Sequence, residues 1–214
     1  MSGRRIGLLG GSFDPPHLAH RALGEAALRD LALDELRWLP AGAPWQKAGR
    51  SMADSGHRLA MLKLLLQDLP GQVIDARETR RAGPTYTLDT VRELQAEGLA
   101  NGLGDAEWFL VIGQDQYARF NTWFGWPELL SRLGLAVAAR QGQAVQGPPE
   151  LAKLPHRLER LNMPRHEISA SAIRALCAAV GPDRQDLTAR LTPLVGAAVA
   201  GYIEQQHLYI KDAL

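Results

Sequence analysis

Apolar residues fall along this chain in two alternating rhythms. Short runs such as Arg5-Ile6-Gly7-Leu8-Leu9, closed by Gly10-Gly11, are too brief for helices and read as buried strands. Leu36 to Pro40, Gln72 to Ala76, Trp108 to Ile112 and Leu135 to Ala139 have the same form. Between them apolar side chains recur at helical spacing: Ala19, Ala22, Leu23 and Ala26 in one stretch, Leu59, Leu62, Leu66 and Leu69 in another. A further helix is expected to begin at Thr85 to Thr87, where hydroxyls could cap it after Pro84. The tail from Ser169 onward reads as helical, with Pro193 near a second helix start. Such alternation predicts βαβ units and an α/β fold, a doubly wound parallel sheet with a helical C-terminal portion. Gln141 to Pro155, with three prolines and two glycines, reads as a surface loop rather than an interdomain linker. Residues 1–214 are therefore expected to form a single domain. In sheets of this kind ligands gather beyond the carboxyl ends of the strands, where the strand order reverses.

Composition narrows the ligand. A chain of 214 residues buries roughly 70% of its unfolded surface without a disulfide or metal. The single cysteine, Cys177, excludes an internal disulfide framework and suits a reducing compartment. Its spacing from Ile173, Leu176 and Val180 makes it a core residue rather than a nucleophile. Lys and Arg number 24 against 23 Asp and Glu, a net charge of +1, so no dedicated nucleic-acid surface is expected. No apolar stretch approaches the ~20 residues of a membrane span, and no signal-peptide pattern follows Met1. The expectation is a soluble, cytoplasmic protein acting on small molecules, with neither nucleic acid nor membrane as partner.

The stretch richest in chemistry is Gly10-Gly11-Ser12-Phe13-Asp14-Pro15-Pro16-His17-Leu18-Ala19-His20. It joins the first strand to the first helix, where backbone N–H groups and the positive end of the helix dipole receive anions. Gly10 and Gly11 let the backbone approach an anion with no Cβ in the way. His17 and His20 are three apart and share a face distinct from the apolar one, so both imidazoles are expected at the anion site. An arbitrary pair of this kind could equally be helix-surface decoration. A metal pair is disfavoured because no third ligand has suitable spacing. No Lys-Ser or Lys-Thr follows the glycines, and the Gly-x-Gly-x-x-Gly dinucleotide fingerprint is missing, so neither a Walker loop nor a dehydrogenase site fits. A second stretch, Ile168-Ser169-Ala170-Ser171-Ala172-Ile173-Arg174, places Ser169 as a helix cap, with Ser171 and Arg174 one turn apart opposite the apolar stripe. Hydroxyl, backbone N–H and guanidinium there could form another anion cradle, or the serines could merely cap.

Together the two stretches resemble the nucleotidyltransferase superfamily that carries His-x-Gly-His and Ile-Ser-x-Ser/Thr-x-x-Arg signatures. Further segments are similar to bacterial nicotinate mononucleotide adenylyltransferases: Trp38-Leu39-Pro40 with Pro44 and Lys47, Gly83-Pro84-Thr85-Tyr86-Thr87-Leu88-Asp89-Thr90, Ile112-Gly113-Gln114-Asp115 with Trp123 beyond, and Tyr202-Ile203 to Leu208-Tyr209. The one departure is Ala19 where the signature has glycine; its methyl group is a mild change on a helix. The resemblance implies a Rossmann-like fold and adenylyl transfer from ATP to nicotinate mononucleotide in NAD biosynthesis. It also implies Mg²⁺ carried on the ATP phosphates rather than held in a protein cage. By the same resemblance His17, His20, Ser171 and Arg174 would act at the triphosphate. Gly10, Gly11, Ser12, Phe13, Ser169, Gly113 and Asp115 would bind ATP, and Lys47, Thr85, Tyr86, Thr87 and Trp123 the acceptor. Several of these have plainer alternatives: Asp115 as a helix cap, Trp123 as packing, Lys47 and Arg50 as solvated loop charges. Asp14 could meet the metal through water, although shaping the turn suits it better. Arg58 reads as a surface residue without a role. The rival functions are adenylylation of nicotinamide mononucleotide or phosphopantetheine, and a non-catalytic nucleotide sensor, which would be expected to have lost its phosphate donors.

Overall fold

A computed structural model describes residues 3–44, 52–139, 144–164, 167–179 and 186–210. Six strands form one parallel sheet: β1 (Arg5–Gly11), β2 (Glu35–Pro40), β4 (Gln72–Ile74), β6 (Glu107–Gly113), β7 (Gly134–Ala138) and β8 (Leu158–Leu161), in the order β4-β2-β1-β6-β7-β8. Two two-residue strands, β3 (Ala43–Pro44) and β5 (Pro84–Thr85), pair separately. The chain winds from β1 outward to β4, then returns to β6 on the other side of β1. The strand order therefore reverses between β1 and β6, whose carboxyl ends are Gly10-Gly11 and Ile112-Gly113.

Alternate side chains of these strands enter opposite cores, because successive residues of a strand face opposite ways. Leu9, Leu36, Trp38, Phe109, Val111 and Ala136 pack beneath α1 (Leu18–Asp30), α2 (Ser55–Leu66), α6 (Ala170–Ala178), α7 (Leu187–Val195) and α8 (Ala197–Gln205). Ile6, Leu8, Leu39, Leu110, Ile112, Leu135 and Val137 face the other side, under α3 (Thr87–Ala100), α4 (Gln114–Tyr117) and α5 (Trp126–Arg132). Burial on both faces explains why the strands read as nearly continuous apolar runs. Cys177 is fully buried, and burial pushes its thiol up to about 11, so it carries no thiolate at neutral pH.

Several boundaries differ from the sequence expectation. The third expected strand stops at Ile74, because the Asp75 carboxylate accepts from the Arg77 backbone N at 3.1 Å and starts a 3₁₀ turn, Arg77–Arg80. Leu69 lies beyond the end of α2. Tyr86, not a threonine, occupies the cap position of α3, and its side chain makes no capping bond. Pro193 sits inside α7 rather than near a helix start; the break comes three residues later at Gly196, whose φ of +83° turns the chain into α8. β8 was not expected, since Leu158-Glu159-Arg160-Leu161 is an edge strand with charged outer positions. The described part of the proline-rich loop is more tethered than its composition suggests. Gln114 donates to the Gln146 carbonyl at 2.6 Å and accepts from its N–H at 3.3 Å, and Leu151 is buried.

Candidate active site

The reversal of strand order leaves a cavity of about 760 Å³ beyond the carboxyl ends of β1 and β6. Gly10, Gly11, Ser12, His17, Ala19 and His20 form one wall, and Gly113, Asp115 and Ile168 another. Thr85, Tyr86, Thr87, Trp123, Phe124 and Glu78 also line it. The cavity thus gathers most of the residues singled out in sequence. Lys47 and Arg50 lie outside the described residues. Phe13 contributes no side chain to the wall: it is 1% exposed, packed against Trp38 and edge-on to His20 at 5.1 Å.

His17 is the N-cap of α1, and its backbone N donates to His20 Nδ1 at 3.2 Å. Nδ1 is thereby an acceptor, which leaves the proton of the neutral ring on Nε2 as a donor. The two rings stack at 3.6 Å. His17 and His20 both line the cavity.

The turn that precedes them is anchored from behind. Gly11 O accepts from Ala41 N at 2.9 Å, and Ser12 O accepts from the Arg58 guanidinium at 2.8 Å. Asp14 O accepts from Arg174 at 2.6 Å. Because a trans peptide sets its N–H opposite its C=O, the first two anchors turn the Ser12 and Phe13 N–H groups away from Ala41 and Arg58. Phe13 itself holds a φ of +46°, a conformation that costs of order 1–3 kcal/mol and is kept by the packing around its ring. The Asp14 carboxylate, 4% exposed, accepts from Tyr209 Oη at 2.7 Å and Ala53 N at 3.2 Å, and lies 3.8 Å from Arg174. Its donors are protein groups, which makes Asp14 a shaper of the turn. Among the described residues no group of three His, Cys, Asp or Glu could hold a metal ion.

Arg58 corrects the expectation of a surface residue. It is 2% exposed, bonded to Ser12 O and, at 3.1 Å, to Ala53 O; burial lowers its pKa while Asp14 opposes the shift. One signal for it existed in the sequence. A cation in the first turn of a helix opposes the helix dipole and calls for a specific partner. Tyr209 carried no such signal, because 195 residues separate it from Asp14.

The second motif arrives only partly. Ser169 caps α6, its Oγ accepting from Ala172 N at 3.2 Å, and Ser171 Oγ lies 3.4 Å away. Arg174 reaches the turn through Asp14, yet Ser169, Ser171 and Arg174 do not line the cavity; Ile168, just before them, does. Gly113, not Asp115, caps α4. Trp123 has a buried Nε1 with no hydrogen-bond partner among the described residues, and its ring lies 5.3 Å from Phe120. Tyr86 and Phe124 meet at 4.7 Å beside it on the same wall.

Residues 8–176 match a family described as cytidylyltransferase-like. A protein of Methylibium petroleiphilum is 50% identical over 96% of this chain and 92% of its own length. One of Bordetella petrii is 44% identical over 96% and 99%. Both bear the name "Probable nicotinate-nucleotide adenylyltransferase". The fold is shared with the Plasmodium falciparum nicotinic acid mononucleotide adenylyltransferase complexed with NaAD, at a TM-score of 0.75 and 16% identity, covering 96% of this chain and 97% of that one.

Arg58→Met should leave the carbonyls of Ser12 and Ala53 without their donor and the buried Asp14 carboxylate without a nearby positive charge. The expected loss is ~3 kcal/mol of stability, read as a lower urea midpoint at unchanged slope. An unchanged midpoint would show that the turn holds without its arginine.

Proposed function

The chain belongs to the cytidylyltransferase-like family, among the nicotinate-nucleotide adenylyltransferases, and on that footing we propose how its residues transfer the adenylyl group of ATP to nicotinate mononucleotide. An oxygen of the acceptor's 5′-phosphate attacks the α-phosphorus of ATP. The bond to the α–β bridging oxygen breaks, and nicotinate adenine dinucleotide and pyrophosphate result. The nucleophile is already an anion, so the protein need supply neither a general base nor a covalent intermediate. Its task is positioning and the stabilisation of spreading phosphate charge.

The observation that carries this reading is the turn itself: carbonyls tied to Ala41, Arg58 and Arg174, with two stacked imidazoles on the cavity wall. In this reading the Ser12 and Phe13 N–H groups and His20 Nε2–H meet the α-phosphate, and Gly10 and Gly11 leave it room. His17 holds His20 in place and shares the charge. Arg174 spends one N–H on Asp14; its others, with Ser171 and Ser169, would receive the β- and γ-phosphates as they extend toward α6. Gly113 and Asp115 would border the adenosine. Lys47 is kept as a cation for the acceptor phosphate. Mg²⁺ would travel on the phosphates, since Asp14, the carboxylate within the turn, is taken up by Tyr209 and Ala53. The whole chain is proposed to act as one nucleotidyltransferase domain in the cytoplasm. Among the described residues no helix is long and apolar enough to cross a membrane.

At the acceptor end, the first turn of α3 presents N–H groups without intrahelical partners near Thr85, Tyr86 and Thr87, while Trp123 offers a flat surface to the pyridine ring. Such a site favours a carboxylate over a carboxamide, whose NH₂ would set donor against donor.

Two outcomes are expected. His20→Ala should fold normally and lose ~10²–10³ in kcat, measured by pyrophosphate release; near-normal turnover would remove His20 from the reaction. Nicotinate mononucleotide should exceed nicotinamide mononucleotide in kcat/KM by tens to several hundredfold, about 2–4 kcal/mol. Equal specificity constants would take carboxylate recognition away from Thr85 to Thr87.

A further inference from the structure

Glu78 has no part in the chemistry above, and its setting is unusual for a carboxylate. It belongs to the Arg77–Arg80 turn, is 8% exposed, and lines the nucleotide cavity. Burial raises its pKa, and Arg81 works against that rise. Its place along the cavity is fixed by close packing. A Cβ on Gly42 would stand 2.1 Å from Glu78 O and 3.4 Å from Thr85 Cγ2, so Glu78 and Thr85 flank the same glycine.

One oxygen of the carboxyl is spoken for. Thr90 Oγ1, fully buried, donates to Glu78 Oε1 at 2.7 Å and itself accepts from Arg81 at 2.7 Å. Arg81 is also paired with Glu93 at 2.5 Å. This relay polarises the threonine hydroxyl toward Glu78 and fixes the plane of its carboxyl group. The second oxygen, Oε2, is not among the buried unpaired atoms: it makes no protein hydrogen bond among the described residues and stays accessible, on a residue that lines the cavity. A carboxylate held by one oxygen from within the protein, with the other open beside a ligand cavity, is placed to accept from a ligand donor.

We propose that Glu78 accepts a hydrogen bond from a ribose hydroxyl of the acceptor mononucleotide and thereby sets the reach of its 5′-phosphate; this rests on the adenylyl-transfer reading above. The choice of group follows from the acceptor's chemistry. Its phosphate and its pyridine carboxylate are anions, which Glu78 repels, and its ring offers only C–H. The ribose hydroxyls are the donors that remain. ATP has hydroxyls too, but Glu78 stands beside Thr85, at the end of the cavity assigned to the acceptor.

Glu78→Gln tests this, because glutamine keeps the size and the Oε1 acceptor for Thr90 while removing the charged acceptor from the cavity. A charged hydrogen bond lost should raise the KM for nicotinate mononucleotide roughly 10- to 100-fold, with the KM for ATP and the melting temperature unchanged. Acceptors lacking the 2′- or the 3′-hydroxyl should show a similar loss with the unaltered enzyme for one of the two, and no further loss with Glu78→Gln. A purely structural role would leave Glu78→Gln kinetically normal, since the Thr90 bond survives, and that result overturns the proposal. So does a rise in the KM for ATP alone, which would assign the carboxylate to the other ribose. A loss seen only with nicotinamide mononucleotide would put Glu78 against the pyridine substituent and also overturn it. If the variant fails to fold, insensitivity of the unaltered enzyme to both deoxy acceptors does the same. Absence of turnover with the natural acceptor in the unaltered enzyme would instead sink the adenylyl-transfer reading.

Discussion

The carboxylate of Asp14 is where the molecule's parts converge. A buried anion costs several kcal/mol unless donors or cations surround it, and here they come from three distant segments: hydrogen bonds from Ala53 before α2 and Tyr209 after α8, and an ion pair with Arg174 on α6. Arg58, buried alongside, adds its charge and takes the neighbouring carbonyl of Ser12. The strand-to-helix turn is consequently held by the rest of the fold rather than by its own residues. Removing any one partner leaves another group unsatisfied, so the cluster behaves as a unit.

That arrangement has a chemical meaning. Transfer between two phosphates gives a protein little covalent work; the rate depends on donors already in place when charge spreads over the α-phosphate. The anchored carbonyls of Gly11 and Ser12 orient the N–H groups of Ser12 and Phe13, and the His17–His20 bond orients an imidazole. The positive φ of Phe13 belongs to the same economy: a strained residue persists because its ring is locked between Trp38 and His20. Arg174 ties α6 to the turn through the Asp14 carbonyl.

Much of this was legible in the sequence because it is local. The Gly-Gly turn, the paired histidines and the Ser169 cap each lie within one loop and one helical turn, and the apolar runs mark five of the six sheet strands. What escaped depends on contacts between segments far apart in the chain. Arg58 has the composition of a surface position and is buried by the C-terminal portion folding back. Tyr209 meets Asp14 only in three dimensions, and Glu78, amid Arg77, Arg80 and Arg81, belongs to no motif that the sequence presents. β3 and β5 are two residues each, too short for any periodicity. Ser171 shows the opposite case: a motif residue at the expected helix start that does not line the cavity.

In the proposed reaction the residues around the turn position a direct displacement at the α-phosphorus and form no covalent intermediate. Turnover of one stereoisomer of adenosine 5′-O-(1-thiotriphosphate) with nicotinate mononucleotide measures this most directly, through the configuration at phosphorus in the dinucleotide. A single in-line attack inverts that centre, and inversion is expected. Retention would require two displacements, with the adenylyl group passing through His17 or His20, and would rule out the direct transfer.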